Sequence, residues 1–247
     1  VGILEQPGMY QPQFHHDCAH NQVRALVGRV AGIVPGPTKS GLANLKQAVT
    51  SIKRFIPKTT ANPLEDMPQR YSGAKRIRYL RALEDYNNRG IQKNDASIKL
   101  FVKAERFDPN AKVNPDPRAI QFRAAKYCVA LASFLHPIEH QLYHLSWASA
   151  GVMRSRNVAK GLNSVQRANL LVRKMGEFKD PVLISLDASR FDKHVSLELL
   201  REVEHPVYLH SNPDPEFARL LSWQLVSTGF SNLGLKYKVR GRRMSGD

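Results

Sequence analysis

The chain has 247 residues, with 37 Lys and Arg against 21 Asp and Glu, a formal charge of +16 and an isoelectric point near 10.1. Its 42% hydrophobic content is enough to bury a sizeable core in one or two domains. No stretch approaches the roughly 20 apolar residues of a membrane span, no signal peptide is visible, and two cysteines, Cys18 and Cys128, exclude a disulfide framework and fit a reducing, cytosolic setting.

This charge suits a polyanion, RNA being the economical choice, although an anionic membrane surface or ribosomal or capsid-type packing would satisfy the same balance. The basic residues are spread in patches: Lys75, Arg76, Arg78 and Arg81 form one, and six fall between Arg154 and Lys174 without an acid. That distribution fits a groove or channel better than a basic tail, although ordinary solvated helix faces would contribute to it.

In chain order, His15-His16-Asp17-Cys18-Ala19-His20 carries potential zinc ligands, but packed too tightly to converge on one ion, so a capped helix start is favoured. Helices are predicted over 25–34 and 42–55. Between them, Gly32 to Ser40 imitates a phosphate-binding loop, but Gly36 is not adjacent to Lys39 and two prolines stiffen the turn. A proline-bearing connection over 56–69 precedes a helix from Tyr71-Ser-Gly-Ala-Lys75-Arg76 to about Tyr86. Then comes a basic block, Lys103-Ala-Glu105-Arg106-Phe107, a turn-rich stretch containing Lys112, and Arg118-Ala-Ile-Gln-Phe-Arg123. On the residues alone a solvated basic hairpin or loop is the commoner reading of such a block, although Arg side chains in it could grip phosphate oxygens in two places.

Residues 124–147 have helical spacing, with Pro137 starting a new helix or kinking this one. Ser164 is expected to cap a helix through Met175 whose inner face carries Val165, Ala168 and Leu171 or Val172. Pro181 to Leu186 reads as a strand buried on both faces and ending at Asp187, with Asp192 five residues on. A desolvated carboxylate at a strand end needs a cation, and Mg²⁺ suits carboxylate oxygen; otherwise Asp187 caps a turn and Asp192 is a solvated loop residue. Ser196 can cap a helix over 197–203. A further helix is predicted over 216–228, ending at Gly229, followed by an Asn232-Leu-Gly234 turn and a half-buried strand over 235–240 with basic residues outward. The fold class is mixed α/β, α+β in character and rich in helix.

The run Asp187-Ala-Ser-Arg-Phe-Asp192-Lys-His-Val-Ser196 resembles motif A of viral RNA-dependent RNA polymerases, most closely those of tombusviruses and carmoviruses. The order Lys-x-Glu, Lys, Pro-Arg-x-Ile-Gln-x-Arg upstream is similar to motif F, and Gly241-Arg-Arg-Met-Ser245-Gly246-Asp247 is similar to the opening of motif B. The segments 21–30 and 71–76 also resemble amino-terminal parts of these polymerases. This resemblance implies the fingers and part of the palm of a right-hand polymerase. Residues 1–180 would be an amino-terminal and fingers region with motif F at about 99–126, 181–200 the palm strand and helix, 201–240 a return through fingers and palm, and 241–247 the start of motif B.

The resemblance further implies that Asp187 binds both catalytic metals with help from the Ala188 carbonyl, the ion being Mg²⁺ with Mn²⁺ as a substitute. Asp192 would recognise the ribose 2′-hydroxyl. Lys103, Lys112, Arg118 and Arg123 would line the nucleotide channel, Glu105 would orient a neighbouring cation, and Ser245 and Gly246 would begin a loop sensing nucleotide and template. Lys193, where Gln is more usual, is expected at the surface. The implied partners are RNA template and nascent strand, ribonucleoside triphosphates and a viral auxiliary replicase protein, in host cytoplasm at membrane-bound replication complexes. Because motif C and the thumb lie outside these residues, and the first residue is Val, the chain reads as a piece of a longer polypeptide that is inactive alone. A non-catalytic basic RNA-binding protein and a metal-dependent nuclease are the rivals; the order F, A, B argues against both.

Overall fold

The computed structural model describes residues 12–149 and 152–246, which form a mixed, helix-rich α/β structure. In chain order come β1 (Gln13–Phe14), α1 (Ala19–Leu26) continued by a π-helical turn (Val27–Ala31), α2 (Lys39–Ile52), α3 (Asp66–Gln69) and α4 (Gly73–Arg89). Next are β2 (Ile98–Val102), β3 (Arg106–Phe107), β4 (Ala119–Arg123), α5 (Ala125–Tyr143), β5 (Ser146–Ser149), β6 (Val152–Arg156) and α6 (Ser164–Met175). The remainder is α7 (Phe191–His194), α8 (Leu197–Leu199), a second π-helical turn (Leu200–Glu204), α9 (His205–Ser211), α10 (Pro215–Ser222), β7 (Val226–Ser231) and β8 (Lys236–Arg240).

The main sheet has strand order β4-β2-β7-β8, with β2 antiparallel to β4 and parallel to β7, and β7–β8 a hairpin. Period-two alternation decides its faces. Ile98 and Leu100 of β2 and Val239 of β8 turn inward onto Leu26 and Val30 of the first helical stretch and onto Met244, while Lys99 and Phe101 turn out. The sheet thus unites residues on either side of the division expected near 180–200.

A second core is helical. Tyr127, Leu131, Phe134 and Ile138 of α5 pack against Phe217, Leu220 and Leu221 of α10, with Phe134 and Phe217 stacked at 4.9 Å. Pro137 does not break α5. Proline frees the carbonyl four residues back, and that carbonyl, on Ser133, accepts the Asn62 N–H at 2.9 Å from the connection before α3.

Four expectations are corrected. Residues 216–228 are not one helix: α10 ends at Ser222 and 226–231 is a strand, with Gly229 inside it. Alternating small inward residues, Ser227, Gly229 and Ser231, let β7 pack closely between β2 and β8. The cap of α6 is Asn163, in a reciprocal capping box with Gln166, and its predicted inner face is solvent-facing, Val165 and Val172 being 67% and 70% exposed. Helix α1 begins at Ala19, ahead of the expected start. Finally, 181–186 is an extended segment rather than a buried strand: Ile184 is 74% and Leu186 89% exposed. A strand needs a ladder partner, and among the described residues none lies beside it.

Candidate nucleotide and metal site

The β2–β4 hairpin builds the basic site. Its register runs from Ile98 opposite Arg123 to Val102 opposite Ala119, and one step further the Lys103 N–H donates to the Arg118 carbonyl at 2.7 Å. Lys103 and Arg118 therefore emerge together at the open end of the hairpin, with Glu105 between them. One Glu105 oxygen lies 2.9 Å from the Arg118 guanidinium and 3.4 Å from the Lys103 ammonium. The carboxylate holds two cations of like charge side by side and leaves most guanidinium donors of Arg118 available.

These residues line a cleft of about 330 Å³ together with Lys112, Arg29, Arg106 and Asp116. Arg106 belongs to the basic block read from the sequence, although no role was given to it there, whereas Arg29 was not singled out for the site because it lies in a helical segment far upstream. The loop closing the cleft is tied to the first helical stretch: Arg29 donates to the carbonyls of Asp116 and Pro117 at 3.0 and 3.1 Å, and Arg24 to that of Asn114 at 3.2 Å. Gly28 leaves room there for the Asp116 carboxylate, which a Cβ at 2.6 Å would push aside. Burial, then the nearby Arg190 and Arg118 cations, lowers the Arg29 guanidinium below its ordinary value. Such crowding of cations marks a place where a polyanion gains most.

Arg123 does not line this cleft. It is 1% exposed, with its guanidinium donating to the Ala96 carbonyl at 2.6 Å and the Ser227 hydroxyl at 3.2 Å, so it supports the sheet from the inner face. The period of β4 explains this: Gln121 and Arg123 share the inward parity.

Asp187 and Ala188 lie in the exposed extended segment, and Asp192 is exposed in the first turn of α7; among the described residues neither carboxylate is in an ion pair, and neither is desolvated as the sequence suggested. Arg190, between them, adopts a left-handed backbone (φ 54°) and places its guanidinium 2.5 Å from Asp116 of the basic loop. Lys193 is not at the surface: it is 7% exposed, with its ammonium donating to the Gly28 carbonyl at 3.2 Å. Two side chains thus fasten the Asp187–Asp192 segment to the walls of the basic cleft.

The last residues close the arrangement. Backbone N–H groups of Arg242 and Arg243 donate to the Val195 and Asp192 carbonyls at 2.5 and 2.9 Å. Gly241, at φ 68°, passes so close to Ser196 and Leu197 that a Cβ has no room. The Ser245 hydroxyl accepts the Gln121 N–H at 2.8 Å, and Gly246 lies against the β4 backbone at Gln121 and Phe122. No described group of three or more His, Cys, Asp or Glu converges on a point. The amino-terminal cluster is dispersed: His15 stacks on Phe107 at 4.8 Å, and Asp17 accepts from Gln22 and from the Val102 N–H.

The family model described as viral RNA dependent RNA polymerase matches residues 5–247. The chain is 35% identical to the RNA-directed RNA polymerase of groundnut rosette virus (strain MC1), over 94% of the chain and 28% of that protein. It is 33% identical to that of turnip crinkle virus, over 94% of the chain and 31% of that protein, and 36% identical to that of tobacco necrosis virus (strain D), over 86% and 30%. The chain spans about three-tenths of the length of these relatives. By the extent of the family match and these identities, the chain belongs to the viral RNA-dependent RNA polymerase family, in its tombusvirus and carmovirus branch.

Proposed function

We propose that this chain supplies the nucleotide-holding and metal-anchoring parts of an enzyme that makes RNA on an RNA template during replication of a positive-strand RNA virus. The observation that carries the proposal is the cleft where Lys103, Lys112 and Arg118 meet Arg29 and Arg106, fastened through Arg190 and Asp116 to the segment bearing Asp187 and Asp192. Arg118, steadied by Glu105, would grip triphosphate oxygens in two places, and Lys103 and Lys112 would offset charge that builds on the departing pyrophosphate. Asp192 would accept from the ribose 2′-hydroxyl, and Ser245 and Gly246, resting on β4, would report the fit of nucleotide to template. Arg123 would act beneath the surface by stiffening the hairpin.

The exposed Asp187 carboxylate and the Ala188 carbonyl are hard oxygen donors of the kind Mg²⁺ or Mn²⁺ takes, and they fit as part of a donor set completed by phosphate, water and further carboxylates. Bound there in a two-metal arrangement, the ions would activate the primer 3′-hydroxyl and stabilise the leaving oxygen. Since the described residues bring no third carboxylate to Asp187, the 247-residue chain is expected to make no RNA product by itself. In this reading residues 1–180 are fingers, 181–200 enter the palm and 241–247 open motif B. Partners would be template and nascent RNA, ribonucleoside triphosphates and an auxiliary replicase protein, at membrane-bound complexes in host cytoplasm; no described helix is long and apolar enough to cross a membrane.

The decisive experiment is Asp187→Asn in a polymerase of the relatives' full length. Incorporation of labelled nucleotide should vanish while RNA affinity stays within about twofold, a carboxylate having little part in phosphate contacts. Retained incorporation would remove Asp187 from the metal site.

A further inference from the structure

We infer that the outer face of the β4-β2-β7-β8 sheet is a binding platform for single-stranded RNA, separate from the nucleotide cleft. Register fixes the composition of this face. Phe122 of β4 stands opposite Lys99 of β2, Lys99 opposite Phe230 of β7, and Phe230 opposite Lys236 of β8. The row therefore reads aromatic, basic, aromatic, basic across all four strands. Beside it lie Phe101 on β2 and Lys238 and Arg240 on β8, all exposed. No acidic residue occurs in the four strands.

The aromatic rings are not core residues. Phe101 and Phe230 are 38% and 39% exposed, and Phe101 meets Phe122 edge to face at 6.0 Å. Phe101, Phe122, Phe230 and Lys99 line a mostly apolar hollow of about 460 Å³. Phe122 also borders a second hollow of about 400 Å³, where Arg78 of α4 sits 5.6 Å from its ring and Lys75 lies nearby. Nothing in the inner core needs these phenylalanines, since the opposite face already packs on Leu26, Val30 and Met244.

Aromatic rings interleaved with cations on an open sheet match the chemistry of an unpaired strand, whose bases stack on the rings while its phosphates meet Lys and Arg. A duplex hides its base faces and a nucleotide alone has too few phosphates to use the row. Asp17 also borders the hollow, but one of its carboxylate oxygens is taken up by the Gln22 side chain and the Val102 N–H. The excess of cations in the strands favours RNA over a basic or neutral partner, and the interruption of the charges by phenylalanines favours unstacked bases over a phosphate surface alone. The inference rests on the RNA-synthesis reading only for naming RNA rather than DNA as the strand.

The test measures binding of a fluorescent 12-nucleotide oligouridylate to the 247-residue chain, against an RNA duplex of equal length and anionic phosphatidylserine vesicles. Phe101→Ala with Phe230→Ala should weaken oligouridylate binding at least about tenfold, from two lost stacking contacts. Lys99→Gln with Lys238→Gln should flatten the salt dependence by roughly 1.4 in log–log slope, about 0.7 for each phosphate contact. Phe101→Tyr should restore binding, which separates stacking from damage to the fold. In the unsubstituted chain, 4-thiouridine photocrosslinks should fall on peptides containing Phe101, Phe122 or Phe230.

Unchanged oligouridylate affinity in the Phe pair, equal affinity for the duplex, crosslinks elsewhere, or vesicle binding that depends on these residues while RNA binding does not would each overturn the platform. Arg118→Ala serves as the separate probe of the cleft: it should weaken Mg-free triphosphate binding and leave oligouridylate on the sheet. Loss of the cleft reading and loss of the platform therefore give different results.

Discussion

At the scale of single residues, two titratable side chains, Lys193 and His205, are folded into the interior, Lys193 against the expectation of a surface position. Lys193 fills the space beside Gly28 and Gly32, where its ammonium satisfies the Gly28 carbonyl. Lys193→Ala should destabilise the chain by about 1–3 kcal/mol in urea unfolding, because it leaves a cavity and removes a donor from a carbonyl in the π-helical turn. Lys193→Gln keeps an N–H donor without a buried charge and should recover part of that loss. His205 is buried, and its imidazole is held below the ordinary 6.5, first by burial, against opposing effects of Glu204 and Gln224. The folded chain therefore binds fewer protons than the unfolded chain just below pH 6.5, so stability is fully present above that value and falls as pH drops through the lowered pKa. His205→Gln should flatten this acid limb in melts from pH 7.5 to pH 5. His15 and His136 are lowered in the same sense and should leave a smaller residual slope.

At the scale of elements, β7 depends on a glycine for reasons of space. Gly229 stands opposite Tyr237 on the inner face, and a Cβ there would fall on the tyrosine ring, whose hydroxyl donates to Gln121 at 2.7 Å. Gly229→Ala should cost about 1–3 kcal/mol in thermal unfolding by overpacking. Tyr237→Phe, which removes only the hydrogen bond, should cost about 1 kcal/mol. A larger loss from Tyr237→Phe than from Gly229→Ala would show that the hydrogen bond, not the close approach, controls this corner. The same strand shows where local pattern misleads. Residues 216–228 read as helix because Phe217, Leu220 and Leu221 have helical spacing, and nothing local announces that Gly229 and Ser231 will lie beside a strand 131 residues earlier in the chain, which β2 supplies at Ile98 and Leu100. By contrast β8 was legible, because Lys236, Lys238 and Arg240 alternate with Tyr237 and Val239 and follow a glycine turn. In the site, Lys103, Glu105, Lys112 and Arg118 were legible as one basic block, since a hairpin gathers neighbours in sequence. Arg29 and Arg190 were not, because only the tertiary fold carries them to Asp116.

At the scale of the whole molecule, cations line one cleft and one sheet face while an apolar run, Val182 to Leu186, is left in solvent. Val182, Leu183, Ile184 and Leu186 are 71–89% exposed in a segment with no ladder partner among the described residues. A short β-branched, uncharged run with open backbone groups pairs readily with another copy or with any sheet edge. The 247-residue chain should therefore self-associate as its concentration rises, in spite of a formal charge of +16. High salt should strengthen the association by screening that charge. Leu183→Lys with Leu186→Lys should hold the chain as a monomer in sedimentation velocity, at concentrations where the parent forms larger species. Their exposure predicts a change in unfolding free energy within about 0.5 kcal/mol, as for other surface substitutions. Association unaltered by the lysine pair would move the adhesive surface elsewhere, with exposed Val165 and Val172 on α6 the next residues to change. A large drop in stability would instead mean that the run is packed in solution. Asp187 follows this run directly, so whatever orders the apolar segment also sets the position of the carboxylate. For that reason the lysine pair, placed in a full-length polymerase, should lower incorporation without altering the chemistry of Asp187 itself.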